Sequence, residues 1–294
     1  MMPKVVFTEF FKQCGLVPSV KIDHANLGAG VLASFPYIKL SSWVRWMLDT
    51  DRLHRFMVGV SSFEKMQVVL TEYWKRFRET HPNHAIFTMH DLPLDRTIPF
   101  FSHTDEGRSY KHCGIWVLSS HGCLGRGTRS YIEAGEHLRD LASNEMGLNF
   151  VGATWSTQFI FTTMLKTVYS KNPSVQDEMV KIYSQDVAKL LHDGVVSSDE
   201  RRKVHLMHVA TKGDLPALCR LGGFTRSYSH VPRAAASRRS CPGICHLCMA
   251  GVEVGPDYHR SVPFEDMRVQ ADWISTLHSV VPWVHTPTSS MEFP

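Results

Sequence analysis

The stretch RKVHLMHVATKGDLPALCRLGGF, Arg202 to Phe224, carries the decision about the fold. Its first half, "KVHLMHVAT", alternates only in part and reads as a mostly buried strand, the pattern of an interior position in a sheet. Asp214 follows, then Pro216 and a short amphipathic segment. Two roles are open for Asp214. The string "GDLPAL" is a good helix start, with Asp214 as the N-cap and Pro216 within the first turn. An acid just after a buried strand is also where a metal-binding carboxylate would sit. The choice depends on what partners the rest of the chain supplies.

With 294 residues, 43% of them hydrophobic and 11% aromatic, the chain can bury a substantial core as one large domain or two small ones, which excludes a disordered chain. The net charge of +4 is too mild to name a partner, but its distribution says more. From Arg201 to Arg260 there are ten Lys and Arg against three Asp and Glu. Within that span Arg220, Arg226, Arg233, Arg238 and Arg239 follow one another with no acid between them, either as a solvated loop or as a phosphate-facing surface. The N-terminal "MMPKVVFTEFFKQCG" carries Glu9 and Lys12 where an export leader needs an apolar run, so the chain is expected to stay inside the cell. The most apolar window, Leu148 to Tyr169, is broken by Thr154, Ser156, Gln158 and Lys166 among others, which suits a buried helix and not a membrane span.

Upstream, residues 1–40 are mixed and punctuated by Gly and Pro. From there the periodicity predicts a helix beginning at a Ser41 or Ser42 cap, with Val44, Met47 and Leu48 on one face and Gly59 as its stop. A second helix runs through Phe63, Met66, Val69, Leu70, Tyr73, Trp74 and Phe77 to Pro82, and its aromatic stripe reads as a core face. After Pro82, "RTIPFFSH" (Arg96–His103) and "CGIWVLSSH" (Cys113–His121) read as strands of a hairpin, with Gly107 at the bend of the polar segment between them. "GCLGRGTRSY" leads toward a third strand. Helices are predicted near Ile132–Ser143, near Ser156–Tyr169 and over Ser174–His192, the last stopping at Gly194.

Asp105 therefore lies just after one apolar strand and Asp214 just after another. Were those strands neighbours, the carboxylates would converge as two divalent cations require for phosphoryl transfer. A separate signal is C-x3-C-x2-C at Cys241, Cys245 and Cys248. Its C-x2-C half is a common half-site for tetrahedral zinc, with His259, His230, Cys219 or His246 available as fourth ligand, and idle thiols as the plain alternative. Seven cysteines, three of them bunched, fit reduced thiols with one metal site better than a disulfide framework. A third constellation, His103, His112 and His121 around a pocket, would suit an unrelated α/β enzyme.

A strand ending in an acid, "GDLPAL", and then the knuckle "CPGICHLC" resembles the central region of DDE-type transposases of the Plavaka and KDZ kind. "IPFFSHTDEGRSY" resembles the strand that carries their first Asp, and the chain is also similar to transposon-like proteins multiplied in protist genomes. The resemblance covers about Arg96 to Gly251. It implies an α/β fold with a ribonuclease-H-like mixed sheet, a helical N-terminal region over 1–82, a core over 83–230, a cysteine-rich zinc-knuckle insertion over 231–260 and a C-terminal helix and tail over 261–294. It implies Asp105 and Asp214 as two of three catalytic carboxylates served by Mg or Mn; beside it stand the expectations from spacing and charge, structural zinc on Cys241, Cys245 and Cys248 with His259 first among the candidate fourth ligands, and DNA held by the arginine run. The nucleus is the compartment such a partner suggests; neither a membrane nor a small-molecule cofactor is expected. The third carboxylate departs from the family pattern. Only 46 residues follow Cys248, leaving Glu265 (beside Asp266) as the available acid on the helix "EDMRVQADWISTLHSV". The expectation is a transposase-derived DNA-binding protein, truncated or decayed, with a non-catalytic zinc-binding interaction module as the alternative. If active, it would be a two-metal transposase or nuclease.

Overall fold

The computed structural model describes residues 19–89, 91–108, 113–125, 147–148, 157–214 and 268–276, with single positions or pairs at 217–218, 221, 244–245, 248 and 250. The chain divides into two compact units, one running to Lys212 and one over Gly213–Glu292.

In the first unit, β1 (Asp23–Ala25) pairs antiparallel with β2 (Phe35–Tyr37). Helix α1 (Leu40–Asp49) buries Leu40, Val44, Met47 and Leu48, the i, i+4, i+7, i+8 stripe of an amphipathic helix. A π-helical turn, His54–Val58, ends at Gly59 with φ 81°. The sequence expected one helix from Ser41 to Gly59; the α-helix ends ten residues earlier, but Gly59 does stop the turn that follows. Helix α2 (Phe63–Thr80) begins at Ser62, whose Oγ accepts the Lys65 N–H at 3.2 Å, and buries Phe63, Met66, Val69, Leu70 and Trp74. Its aromatic stripe serves as the core face expected of it: the Trp74 indole N–H donates to the Thr97 carbonyl at 2.8 Å.

The chain then forms β3 (Thr97–Arg108), β4 (Gly114–Gly122), the short pair β5 (Leu124–Gly125) and β6 (Gly147–Leu148), β7 (Phe159–Leu165), α3 (Lys166–Tyr169), α4 (Ser174–His192), β8 (Val195–Val196) and β9 (Lys203–Gly213). A curled, mixed sheet takes five of these strands in the order β7-β4-β3-β9-β8. The pairings β3–β4, β4–β7 and β8–β9 are antiparallel. Arg96, just before β3, acts electrostatically on His205 near the start of β9, and farther along Phe100 meets the ring of His208 at 5.5 Å. Strands β3 and β9 therefore run the same way, and theirs is the parallel pairing. Within this sheet the path is β3, β4 and β7 antiparallel in turn, with β5 and β6 lying outside it, then α3 and α4, and then the antiparallel pair β8 and β9, of which β9 lies beside β3.

Two expectations need correction. β3 does not end at His103: it continues through "TDEGR", so that Asp105 pairs with Val117 inside the strand and Gly107 with Ile115, leaving Gly107 out of the turn. The ladder offered by Gly114–Leu118 satisfies the backbone of this polar half and outweighs its loop-like composition. Nor is Ser156–Tyr169 one buried helix, because Phe159–Leu165 is the edge strand β7 and a single helical turn follows it. The helix expected near Ile132–Ser143 lies outside the described residues.

Helix α4 keeps the predicted bounds, Ser174–His192, with Gly194 at φ 70° just beyond its end. It packs on the sheet face made by Phe100, Ser102 and Thr104, all at most 1% exposed. There the fully buried Tyr183 hydroxyl lies 2.7 Å from Ser102 Oγ and 2.5 Å from Ser120 Oγ, joining β3, β4 and α4 by a satisfied polar bridge. Asp186 on the same helix reaches α1, which has no side-chain cap of its own. Its carboxylate accepts the Ser41 N–H at 3.1 Å and the Ser41 hydroxyl at 2.5 Å, a capping role worth about 1 kcal/mol. Ser41 is thus inside the first turn and not the cap that the sequence suggested. Burial holds the Asp186 carboxyl above its ordinary range, against the Ser41 hydrogen bonds that pull it down.

In the second unit the described residues give Asp214, helical positions at 217, 218 and 221, a hydrogen bond from the Ile244 N–H to the Ala250 carbonyl, and α5 (Asp272–Ser275). Among the described residues no helix is long and apolar enough to cross a membrane.

Candidate functional site

Asp105 is the sequence-predicted site residue with the most built surroundings. It lies three quarters of the way along β3, half-buried, and its Oδ1 accepts the N–H of Glu106 at 2.8 Å. Both neighbours are pinned. Thr104 Oγ1 accepts the buried Trp116 indole N–H at 2.8 Å. Glu106 receives Lys166 Nζ at 2.5 Å and the Tyr169 hydroxyl, and these two hydrogen bonds, Lys166 first, hold its carboxyl below the usual range. Gly114 makes room for this arrangement, since a Cβ there would meet Glu106 Oε1 at 2.8 Å. Held on both sides, the backbone at Asp105 has little freedom to re-aim its carboxylate, which is what a metal ligand or a phosphate-facing acid needs.

Two-residue steps along β3 put His103 and Phe101 on the same face as Asp105, the half-buried face away from Tyr183. Across on β4, His121 stands opposite Phe101, with ring centroids 5.4 Å apart. From β9, Lys212 Nζ lies 4.3 Å from the Phe101 ring centroid. His121 Nδ1 donates to the Gly122 carbonyl at 3.0 Å, which leaves Nε2 as the atom that would gain a proton. Burial, and then repulsion from Lys212 and His103, lowers its pKa from the ordinary 6.5. Of the three histidines considered for an unrelated enzyme, His103 and His121 do share this face; His112 lies outside the described residues.

Asp214 is exposed and is a cap: its Oδ1 accepts the Ala217 N–H at 2.9 Å and its carbonyl accepts the Leu218 N–H at 3.0 Å. The plainer of its two sequence readings is therefore in place. In the cysteine segment, Cys245 is half-buried and Cys248 is 1% exposed. Ile244 N–H donates to the Ala250 carbonyl at 3.1 Å, closing the loop that carries both thiols. Cys241, His259, Glu265, Arg220, Arg226, Arg233, Arg238 and Arg239 lie outside the described residues. Among the described residues no group of three or more His, Cys, Asp and Glu is arranged to hold a metal ion.

Sequence reasoning missed Lys212 and the Glu106–Lys166–Tyr169 brace. The alternation from Asp105 back to Phe101 was there to be read once β3 was extended, but nothing local shows which lysine comes to lie over Phe101.

No family model, curated protein or solved structure matches the chain.

Proposed function

We propose that the chain is a DNA-binding protein of transposase descent, with a ribonuclease-H-like sheet whose first strand presents Asp105 and whose returning strand leads to Asp214. The observation that supports the reading is the path of the sheet. In the sheet β3, β4 and β7 lie side by side and antiparallel in chain order, α4 crosses back, and β9, with the short β8 on its outer side, joins the free side of β3 in the same direction. The transposases the chain resembles carry one metal-binding Asp on such a first strand and another after a later strand, and two-metal cleavage needs such carboxylates held together. Mg or Mn would supply the Lewis acid and the activated oxygen nucleophile; the chain's part is to hold carboxylates rigidly, as the braced Asp105 does. Asp214 has one oxygen engaged in capping and Glu265 is a crowded third candidate, so we propose a descendant that binds DNA without cutting it.

Supercoiled plasmid incubated with the purified chain and Mg²⁺ or Mn²⁺ tests this. The expected result is a salt-sensitive gel shift with no nicked product. Nicking abolished by Asp105→Asn would restore the enzyme, and no shift at low salt would remove DNA as the partner. The closed Ile244–Ala250 loop favours a second reading alongside, a structural zinc knuckle at Cys241, Cys245, Cys248 and His259.

A further inference from the structure

Resting on the nucleic-acid reading above, we propose that Lys212, His121 and His103 form a phosphate-binding strip that guides a nucleic-acid strand along β3 toward Asp105. These residues come from three adjacent strands and meet on one half-buried face, with Phe101 as its apolar floor. The charge balance of the strip is open. Among the described residues Lys212 has no carboxylate at ion-pair distance and rests on an aromatic ring, and the His103 ring makes no hydrogen bond. Lys212 and His103 both oppose a proton on His121, and the carboxylate on this face of β3, Asp105, lies two residues beyond His103; a phosphodiester over Lys212 and His121 is the partner that relieves the repulsion.

His121 gives the strip a measurable signature. Its Nδ1–H is committed to the Gly122 carbonyl, so an arriving phosphate oxygen can be bound by Nε2 only after Nε2 takes up a proton. The groups that face it are Lys212 from β9 and His103 from β3, both of which oppose that proton in the free protein. Nearby Cys123 shares a hydrogen bond with Tyr73 of α2, and burial raises both pKa values, the thiol to about 11, so neither adds charge below neutral pH. Binding therefore takes up a proton, and affinity rises as the pH falls.

The test is fluorescence anisotropy of a labelled oligothymidylate titrated with the full chain, at several salt concentrations and pH values. Lys212→Gln should weaken binding about tenfold and lower the slope of log affinity against log salt by about one, with Lys212→Arg restoring both. His121→Gln should abolish the tightening at lower pH. Lys189→Gln, the same charge change on α4, is the control. Wild-type affinity and slope in Lys212→Gln, an equal loss in Lys189→Gln, or an unchanged pH profile in His121→Gln would overturn the strip. Mn²⁺ binding compared between the wild type and Asp105→Asn reports on the carboxylates separately. Failure there with the strip intact removes the metal-site ancestry and leaves the strip standing.

Discussion

His208 shows how much one side chain can tie this fold to pH. Its ring is packed against Phe100, its Nε2 lies 3.2 Å from Thr211 Oγ1, and burial lowers its pKa from 6.5 to about 4. Above the unfolded value both states are neutral and the full stability is present. As the pH falls below 6.5 the unfolded chain takes up a proton that the folded ring refuses, so stability is lost between about pH 6.5 and pH 4. The full shift would amount to about 3 kcal/mol, and partial exposure of the ring reduces this to about 1–2 kcal/mol. Urea unfolding at about pH 7 and about pH 4.5 should show His208→Gln losing that much less than the wild type. An equal loss would move the acid sensitivity to His54 and His205, whose pKa values burial also lowers. At this scale the candidate site was half legible. Asp105 could be found from an acid in strand context. The firmness of its place depends on Trp116, Lys166 and Tyr169, which hold its neighbours Thr104 and Glu106 through pairings that no local pattern encodes.

Among the elements, the end of β4 is the tightest joint. A Cβ on Gly122 would stand 1.9 Å from the Met57 carbonyl oxygen and 2.7 Å from its carbon. These are backbone atoms of the π-helical turn and cannot swing aside as a side chain would. Gly122→Ala should therefore cost about 3 kcal/mol, seen as a drop of several degrees in Tm, by forcing β4 off the turn. Gly107→Ala is the control, because a Cβ there meets nothing within 4 Å and should change stability by less than about 1 kcal/mol. If the two variants melt together, the close approach is not a constraint. The same local physics explains which elements could be read in advance. α4 was legible because Val175, Met179, Tyr183, Val187 and Leu190 keep a helical period from end to end. β7 was not, because its pairing with β4 slips between Leu118 and Ser119 and leaves Phe161 as an extra residue. Burial falls on Phe159 and Phe161 before the bulge and on Thr162 and Met164 after it. The alternation changes phase in mid-strand and imitates neither period. The bulge is useful to the fold, since the Phe161 carbonyl accepts the Ile38 N–H at 2.8 Å and its ring packs 5.1 Å from that of Tyr183.

For the whole molecule, the division at Lys212 separates two ways of being stable. The first unit has a sheet with helices, a continuous apolar core and buried polar groups tied together by Tyr183 and Asp186. Such a unit needs no metal to fold. In the second unit the clearest closure among the described residues is the Ile244–Ala250 turn around Cys245 and Cys248, and a turn of that size gains too little from burial to hold itself. If zinc binds there, its binding free energy is the folding free energy of the segment. We expect about one zinc per chain by metal analysis, lost in Cys245→Ser. Chelation followed by hydrogen exchange should remove protection around residues 244–250 and leave β3, β4 and α4 protected as before. A protein purified without added chelator that contains no zinc would refute the knuckle. Loss of protection throughout β3, β4 and α4 on chelation would instead show that the first unit depends on the metal, and that the boundary at Lys212 does not separate their stabilities.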